Sequence, residues 1–173
     1  MRRITSPLTK AQIKNLKAGE EVLLSGAIYT ARDQAHRRLC EAVVKGKKPP
    51  IELEGQIIYY CGPTQTPPGQ IIGSCGPTTS ARMDEFTPIL LKAGIAGMIG
   101  KGRRSKEVVA AIKKYGAVYF LTYAGCAALL TQYVKEKTCV VYQDLGPEAI
   151  YKITVENFPL IVAIDAKGRD IYA

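Results

Sequence analysis

The chain has 173 residues, and its 24 Lys or Arg against 15 Asp or Glu give it a formal net charge of +9. A chain of this length buries enough surface to fold without metal or disulfide staples, and 47% hydrophobic with 23% charged residues excludes a disordered tail. No stretch reaches the roughly 20 apolar residues that a membrane-crossing helix needs. The N-terminal residues show no secretory signal, so we expect a cytoplasmic protein.

The first quarter of the chain predicts helices alternating with a strand. After a short basic arm, residues 1 to about 8, Thr9 can cap a short helix. Residues 20–30 predict a strand that Ser25-Gly26 interrupts as a turn or a bulge. Apolar side chains recur at helical spacing in residues 31–46, which predicts a second helix.

Glycine and proline dominate the middle of the chain. Residues 56–60 predict a short apolar strand, and the sequence CGPTQTPPG after it predicts a loop, because proline lacks an amide donor. We expect two short helices beyond a second Gly-Pro pair, one from about Thr79 and one from about Pro88. Thr87-Pro88 supplies an N-cap followed by a proline at the first helical position.

The remainder of the chain alternates regularly between strands and helices. Strands are predicted at 97–100, 117–122, 138–144, 149–158, 160–165 and 170–173, and helices at 105–116 and 125–136. Such alternation is typical of a parallel or mixed sheet covered by helices. We therefore predict one α/β domain over residues 1–173.

A possible anion site lies where the second Gly-Pro pair leads into a helix. Thr78 and the two residues after it place hydroxyls and unpaired backbone N–H groups at the start of that helix, where the helix dipole favours an anion. Arg82 follows one turn later and can hold a planar carboxylate with two parallel hydrogen bonds. A simple N-cap with a solvated arginine is the alternative interpretation.

Two further clusters stand at predicted strand ends. Arg32 and His36 are four residues apart, so they share one helix face if the helix has begun by residue 32. Lys101 lies between two glycines after a strand, at the position where open α/β sheets receive ligands. The alternatives for these clusters are a surface histidine or a helix histidine with its hydrogen bonds satisfied, and a solvated basic turn.

The cysteines do not predict a metal site. The five are widely spaced and form no C-x-x-C pair, so we expect buried free thiols in a reducing compartment, and the single histidine excludes a His-rich site. We expect no metal ligand in this chain.

Three motifs resemble those of one enzyme family. G-P-T-T-x-x-R-M-D from Gly76, R-D-x-A-H from Arg32 and G-K-G around Lys101 occur together in the family's order. The chain resembles, from about Leu8 to about Ile164, the C-terminal domain or separate beta subunit of class I iron–sulfur fumarate hydratases and of the related L(+)-tartrate dehydratases. The resemblance implies a swivelling β/β/α domain.

The resemblance also implies a chemistry. Members reversibly hydrate fumarate to L-malate, or dehydrate tartrate to oxaloacetate, with a [4Fe-4S] cluster whose ligands lie in an alpha domain that is missing here. It implies that Arg32, Arg82 and Lys101 bind the C4 dicarboxylate and that Thr78 both contacts the substrate and takes part in proton transfer. His36 is implied as a second catalytic residue, either a hydrogen-bond donor or an orienter of Arg32.

We therefore expect the beta subunit of a two-subunit hydro-lyase, a hetero-oligomer that is inactive without its cluster-bearing alpha subunit. Fumarate hydration is the first expectation, and tartrate dehydration is the alternative. A remote alternative is a non-catalytic nucleic-acid-binding module, suggested by the positive charge, although the basic residues are dispersed and no known nucleic-acid motif is present. We expect neither nucleic acid nor a membrane as a partner.

Overall fold

The computed structural model describes residues 1–173. The strands are β1 Arg2–Ser6, β2 Glu21–Thr30, β3 Ile57–Tyr59, β4 Gly97–Gly100, β5 Val118–Leu121, β6 Val134–Val141 and β7 Ile150–Ile164. The helices are α1 Lys10–Asn15, α2 Asp33–Val44, α3 Thr87–Lys92, α4 Lys106–Tyr115 and α5 Ala127–Leu130. Short 3₁₀ turns cover Ser80–Met83, Thr131–Tyr133 and Gln143–Glu148.

The seven strands form a mixed sheet in the order β1-β2-β3-β4-β5-β7-β6. Strands β1 to β5 pair in parallel, whereas β7 is antiparallel to β5, β6 and β2. Because β7 pairs with both β5 and β2, the strands β2, β3, β4, β5 and β7 close into a barrel. The prediction of an α/β fold with a mixed sheet and helices is confirmed.

Side-chain alternation along the strands divides the core into two layers. One cluster of 23 buried residues includes Leu24, Ile57 and Phe120, and a second cluster of 23 includes Ile58 and Tyr119. Neighbouring strand residues point to opposite faces of a sheet, so the first cluster fills the barrel and the second lies beneath the helices. The helices α2, α3 and α4 contribute buried side chains to the second cluster.

Several local predictions are confirmed. Thr9 caps α1 with a capping box. The predicted interruption of β2 is a bulge, because its register against β7 shifts between Leu24 and Gly26. No helix of the chain combines the length and the apolarity that crossing a membrane requires.

Other local predictions are wrong, and tertiary pairing explains most of them. Residues 2–6, expected as an arm, form β1 along the edge of β2. The predicted helix 125–136 ends early, because the chain from Val134 onward pairs with β7 as β6. Strands 149–158 and 160–165 are a single strand, β7, which stays extended through Pro159 because β2 pairs along it. Residues 170–173 make only a bridge and a turn.

Candidate functional site

The three predicted clusters meet at one edge of the sheet. Strands β2, β3 and β4 are parallel neighbours, so their carboxyl ends lie side by side. Arg32 follows β2 and Lys101 follows β4. Thr78 reaches the same edge through its backbone N–H, which donates to the carbonyl of Tyr60 at 2.6 Å, just beyond β3. The fold thus brings together segments that are up to 69 residues apart in the sequence.

A short parallel bridge joins the Thr78 segment to Lys101. Thr79 pairs with Lys101, the N–H of Ser80 donates to the carbonyl of Lys101 at 3.1 Å, and the N–H of Lys101 donates to the Ser80 hydroxyl at 3.0 Å. The Ser80 side chain occupies the space where a Cβ on Gly100 would stand. The first glycine of G-K-G is therefore required by this close approach, because any side chain there would displace Ser80.

A buried hydroxyl network supports the same bridge. The Tyr119 hydroxyl lies 2.8 Å from the Ser80 hydroxyl and 2.9 Å from the carbonyl of Gly102. Tyr119 donates to the carbonyl of Gly102 and accepts from Ser80, which uses each proton once. Burial raises the pKa of Tyr119, so the phenol stays protonated and can donate. The hydrogen bonds of Ser80 and Tyr119 therefore fix the backbone on both sides of Lys101.

Arg82 is held by Asp33 in a bidentate ion pair. Its Nε donates to Oδ1 of Asp33 at 3.1 Å and its Nη2 donates to Oδ2 at 2.6 Å. The Nε of Arg32 lies 3.9 Å from the same Oδ2. Half of the Arg82 side chain is exposed, against 29% for Arg32. The two predicted carboxylate-binding arginines therefore share one carboxylate and retain access to solvent.

His36 lies beneath this pair rather than in the opening. Only 1% of the residue is exposed, and its ring makes an edge contact with Tyr60 at 5.3 Å between centroids. Burial lowers the pKa of His36 to about 4, so the ring is neutral near neutral pH. Its Nδ1 lies 2.7 Å from the carbonyl of Arg32, which assigns the proton to Nδ1. This geometry fits an orienter of Arg32 and does not expose the ring to a ligand.

Arg104 is a structural member of the site that sequence reasoning missed. Its side chain is fully buried, with Nε donating to Asp84 at 2.6 Å and Nη2 donating to Thr87 at 2.7 Å. The guanidinium lies over the rings of Tyr60 and Tyr119, with centroids at 5.3 and 4.8 Å. It ties the end of the Arg82 turn to the loop after Lys101. No local signal in Arg103-Arg104 indicates which arginine turns inward.

The predicted residues lie outside the larger depressions of the surface. One depression of about 690 Å³ is lined by residues 46–54 with Val43 and Ala93, and none of the predicted site residues borders it. The site is therefore defined by its charge and hydrogen-bonding chemistry. A face that carries exposed guanidinium groups can bind carboxylates, but it does not exclude water without a second surface.

The cysteines do not fit an iron–sulfur cluster. No three His, Cys, Asp or Glu side chains are grouped as metal ligands. Burial raises the pKa of Cys40 to about 12 and that of Cys75 to about 11, which disfavours the thiolate that a metal binds. Cys126 is exposed and Cys139 is only partly buried, so the expectation of buried thiols is wrong for these two.

Known proteins resemble this chain along most of its length. The family model described as "Fumarase C-terminus" matches residues 2–173. A protein of Methanocaldococcus jannaschii, named provisionally as the beta subunit of an L(+)-tartrate dehydratase, is 43% identical over 171 residues, covering 95% of this chain and 88% of that protein. The anaerobic class I fumarate hydratase of Escherichia coli K12 is 41% identical over 164 residues, covering 94% of this chain and 30% of the enzyme. Fumarate hydratase 2 of Leishmania major is 39% identical over 166 residues, with 95% and 29% covered.

These relatives are hydro-lyases, enzymes that add or remove water. The chain belongs to the fumarase C-terminus family. The resemblance seen in the sequence motifs is thereby confirmed. The chain spans about 30% of the fumarate hydratases but 88% of the tartrate dehydratase relative.

Proposed function

We propose that this chain is the beta subunit of a two-subunit hydro-lyase that interconverts fumarate and L-malate. The relative named as a beta subunit supports this assignment, because the chain is 43% identical to it and covers 88% of its length. The remaining part of the enzyme would then be an alpha subunit. The assembled hydro-lyase is a hetero-oligomer in this proposal.

The observation that carries the proposal is the convergence of three cationic residues and one threonine on a single sheet edge. In the proposal, Arg32, Arg82 and Lys101 bind the two carboxylates of a C4 dicarboxylate. Arginine presents a planar fork that matches a carboxylate, and lysine supplies a point charge. The bridge between Thr79 and Lys101 supports this arrangement, since it fixes the lysine backbone next to the segment that carries Arg82.

The same residues would lower the barrier to removal of a proton beside a carboxylate. Negative charge builds on that carboxylate as the C3 proton leaves, and fixed cations stabilise it without reorganising at the moment of reaction. Thr78 is partly exposed at this edge, and its hydroxyl is proposed to transfer or to hold the proton. A threonine hydroxyl is a weak base, so anchoring of the substrate is the second role that the test must separate.

The [4Fe-4S] cluster is proposed to belong to the alpha subunit, because the cysteines here do not fit one. No step assigned to this chain passes through the cluster. A cytoplasmic location is proposed on the free state of all five cysteines, which is typical of a reducing compartment. We also propose that the domain is of the swivelling β/β/α type, which would let this face close over an alpha subunit.

Tartrate dehydration is a second candidate with equal support. The relative at 43% identity is named for tartrate, while those at 41% and 39% are named for fumarate. The two substrates share a C4 skeleton with two carboxylates, so the same cations serve both. Nucleic acid is not proposed as a partner, because the basic residues are dispersed along the chain and no known nucleic-acid motif is present.

The test is anaerobic co-expression of this chain with its candidate alpha subunit. Turnover of fumarate, L-malate and L(+)-tartrate is then measured separately by ultraviolet absorbance, with the isolated chain as the control. We expect turnover only in the cluster-loaded complex, and the substrate that reacts identifies the enzyme. An intact complex that converts none of the three substrates would overturn the proposal.

A further inference from the structure

The Asp33 carboxylate lies between the two arginines that are proposed to bind substrate. Both of its oxygens are engaged by Arg82, at 3.1 and 2.6 Å, and Oδ2 also lies 3.9 Å from Nε of Arg32. Asp33 begins α2, whereas Arg82 stands in the 3₁₀ turn 80–83, 49 residues further along the chain. The helix dipole by itself stabilises a carboxylate in the first turn of a helix. The position of Asp33 in α2 therefore does not require the ion pair with Arg82, which is a separate interaction.

The contact leaves one side of the Arg82 guanidinium free. Asp33 occupies the side formed by Nε and Nη2. Three donors remain, both N–H groups of Nη1 and one of Nη2, and one from each nitrogen points out of the end of the planar guanidinium. A second carboxylate can bind there with two parallel hydrogen bonds while Asp33 stays in place. Half of the Arg82 side chain is exposed, which leaves room for that second partner.

The charges at this edge are also balanced by Asp33. Arg32, Arg82 and Lys101 carry three positive charges, and one carboxylate among them leaves two, which match a dianionic dicarboxylate. Like charges at short range repel one another, so the two arginines need a shared anion to remain close in the absence of substrate. The buried Nε of Arg32 has no hydrogen-bond partner, and the Asp33 carboxylate is the negative charge that lies near it.

We propose that Asp33 is a positioning residue, which fixes the plane of Arg82 and aims its free side at the substrate carboxylate. Asp33 does not itself touch the substrate. The inference rests on the proposed function for the identity of that carboxylate, but the fixing of Arg82 is a property of this chain alone. It assigns a role to the aspartate of the R-D-x-A-H motif.

The test uses Asp33→Asn, which keeps the size of the side chain and removes its charge. The matched control is Asp144→Asn, which removes the carboxylate of another exposed bidentate pair, to Arg38 at 2.9 and 2.6 Å. In the isolated chain, the Nε–H signal of Arg82 is recorded by nuclear magnetic resonance and assigned by its loss in Arg82→Lys. We expect a distinct, slowly exchanging signal in the wild type and in the control, and a signal averaged with solvent in Asp33→Asn.

In the reconstituted complex, Asp33→Asn should raise KM at least tenfold, with a smaller change in kcat and with a melting temperature equal to that of the control. An unchanged KM, or an Arg82 signal that is averaged already in the wild type, would overturn the inference. A lower KM would also overturn it, because Asp33 would then be competing with substrate for Arg82. A wild-type complex without turnover refutes the proposed function, whereas the Arg82 signal still decides whether Asp33 fixes that side chain.

Discussion

Acidification should destabilise the chain through its single histidine. His36 is 1% exposed and burial lowers its pKa to about 4, while an unfolded histidine has a pKa of about 6.5. Below that value the unfolded chain binds a proton that the folded chain does not, so the free energy of unfolding falls as the pH falls and levels off near the folded pKa. Linkage gives a loss of about 2 kcal/mol between about pH 7 and about pH 5.

Urea denaturation at the two pH values measures this loss, and the proton signals of the His36 ring report its pKa directly. Asp144 and Asp165 have pKa values below the ordinary aspartate value, so they contribute little in this window. His36→Phe is the control, because it keeps a ring between Tyr60 and Phe86 and cannot titrate. The free energy of unfolding of His36→Phe should fall between the two pH values by about 2 kcal/mol less than that of the wild type. A wild-type loss below about 0.5 kcal/mol, or a ring that titrates near its ordinary pKa, would refute the reasoning.

Substitutions at four positions test the rest of the site. Arg82→Ala in the assembled enzyme should lower kcat/KM by about 100-fold or more, and near-normal turnover would remove Arg82 from the substrate-binding residues. Thr78→Val should abolish turnover while Thr78→Ser retains it, and equal rates would exclude a role for the hydroxyl. Arg104→Met should lower the free energy of unfolding in urea by about 3–5 kcal/mol, because it leaves a partly buried carboxylate unpaired, and a loss below about 1 kcal/mol would contradict this. Gly100→Ala should cost about 1–3 kcal/mol by crowding Ser80, which a wild-type urea midpoint would disprove.

Local patterns in the sequence predicted the elements and the strand ends that carry the site. Capping at Thr9 and the bulge before Gly26 depend on neighbouring residues, so the sequence displays them directly. The length of β7 and the early end of the helix after Cys126 depend on pairing with strands distant in the chain. Propensity alone cannot anticipate such pairings, because tertiary context overrides it.

The site shows the same division between local and long-range information. The sequence predicted that four site residues stand at strand or helix ends, because each belongs to a motif. These residues are Arg32, Thr78, Arg82 and Lys101. The ion pair of Arg82 with Asp33 spans 49 residues and required the fold. The burial of Arg104 likewise depends on Asp84, 20 residues away, and two adjacent arginines give no sign of which will face inward.

The exposure of these cations explains why this chain is expected to be inactive alone. Two unit charges 4 Å apart attract by about 1 kcal/mol in water and by about 4 kcal/mol near a protein surface of lower effective dielectric. Half of the Arg82 side chain is in solvent, so in the isolated chain its attraction to a carboxylate is closer to the value in water. A second surface that covers this edge would remove water, strengthen each carboxylate contact and give the cations their effect on the reaction. An open edge with its backbone already fixed by Ser80 and Tyr119 is therefore the expected form of one half of a site.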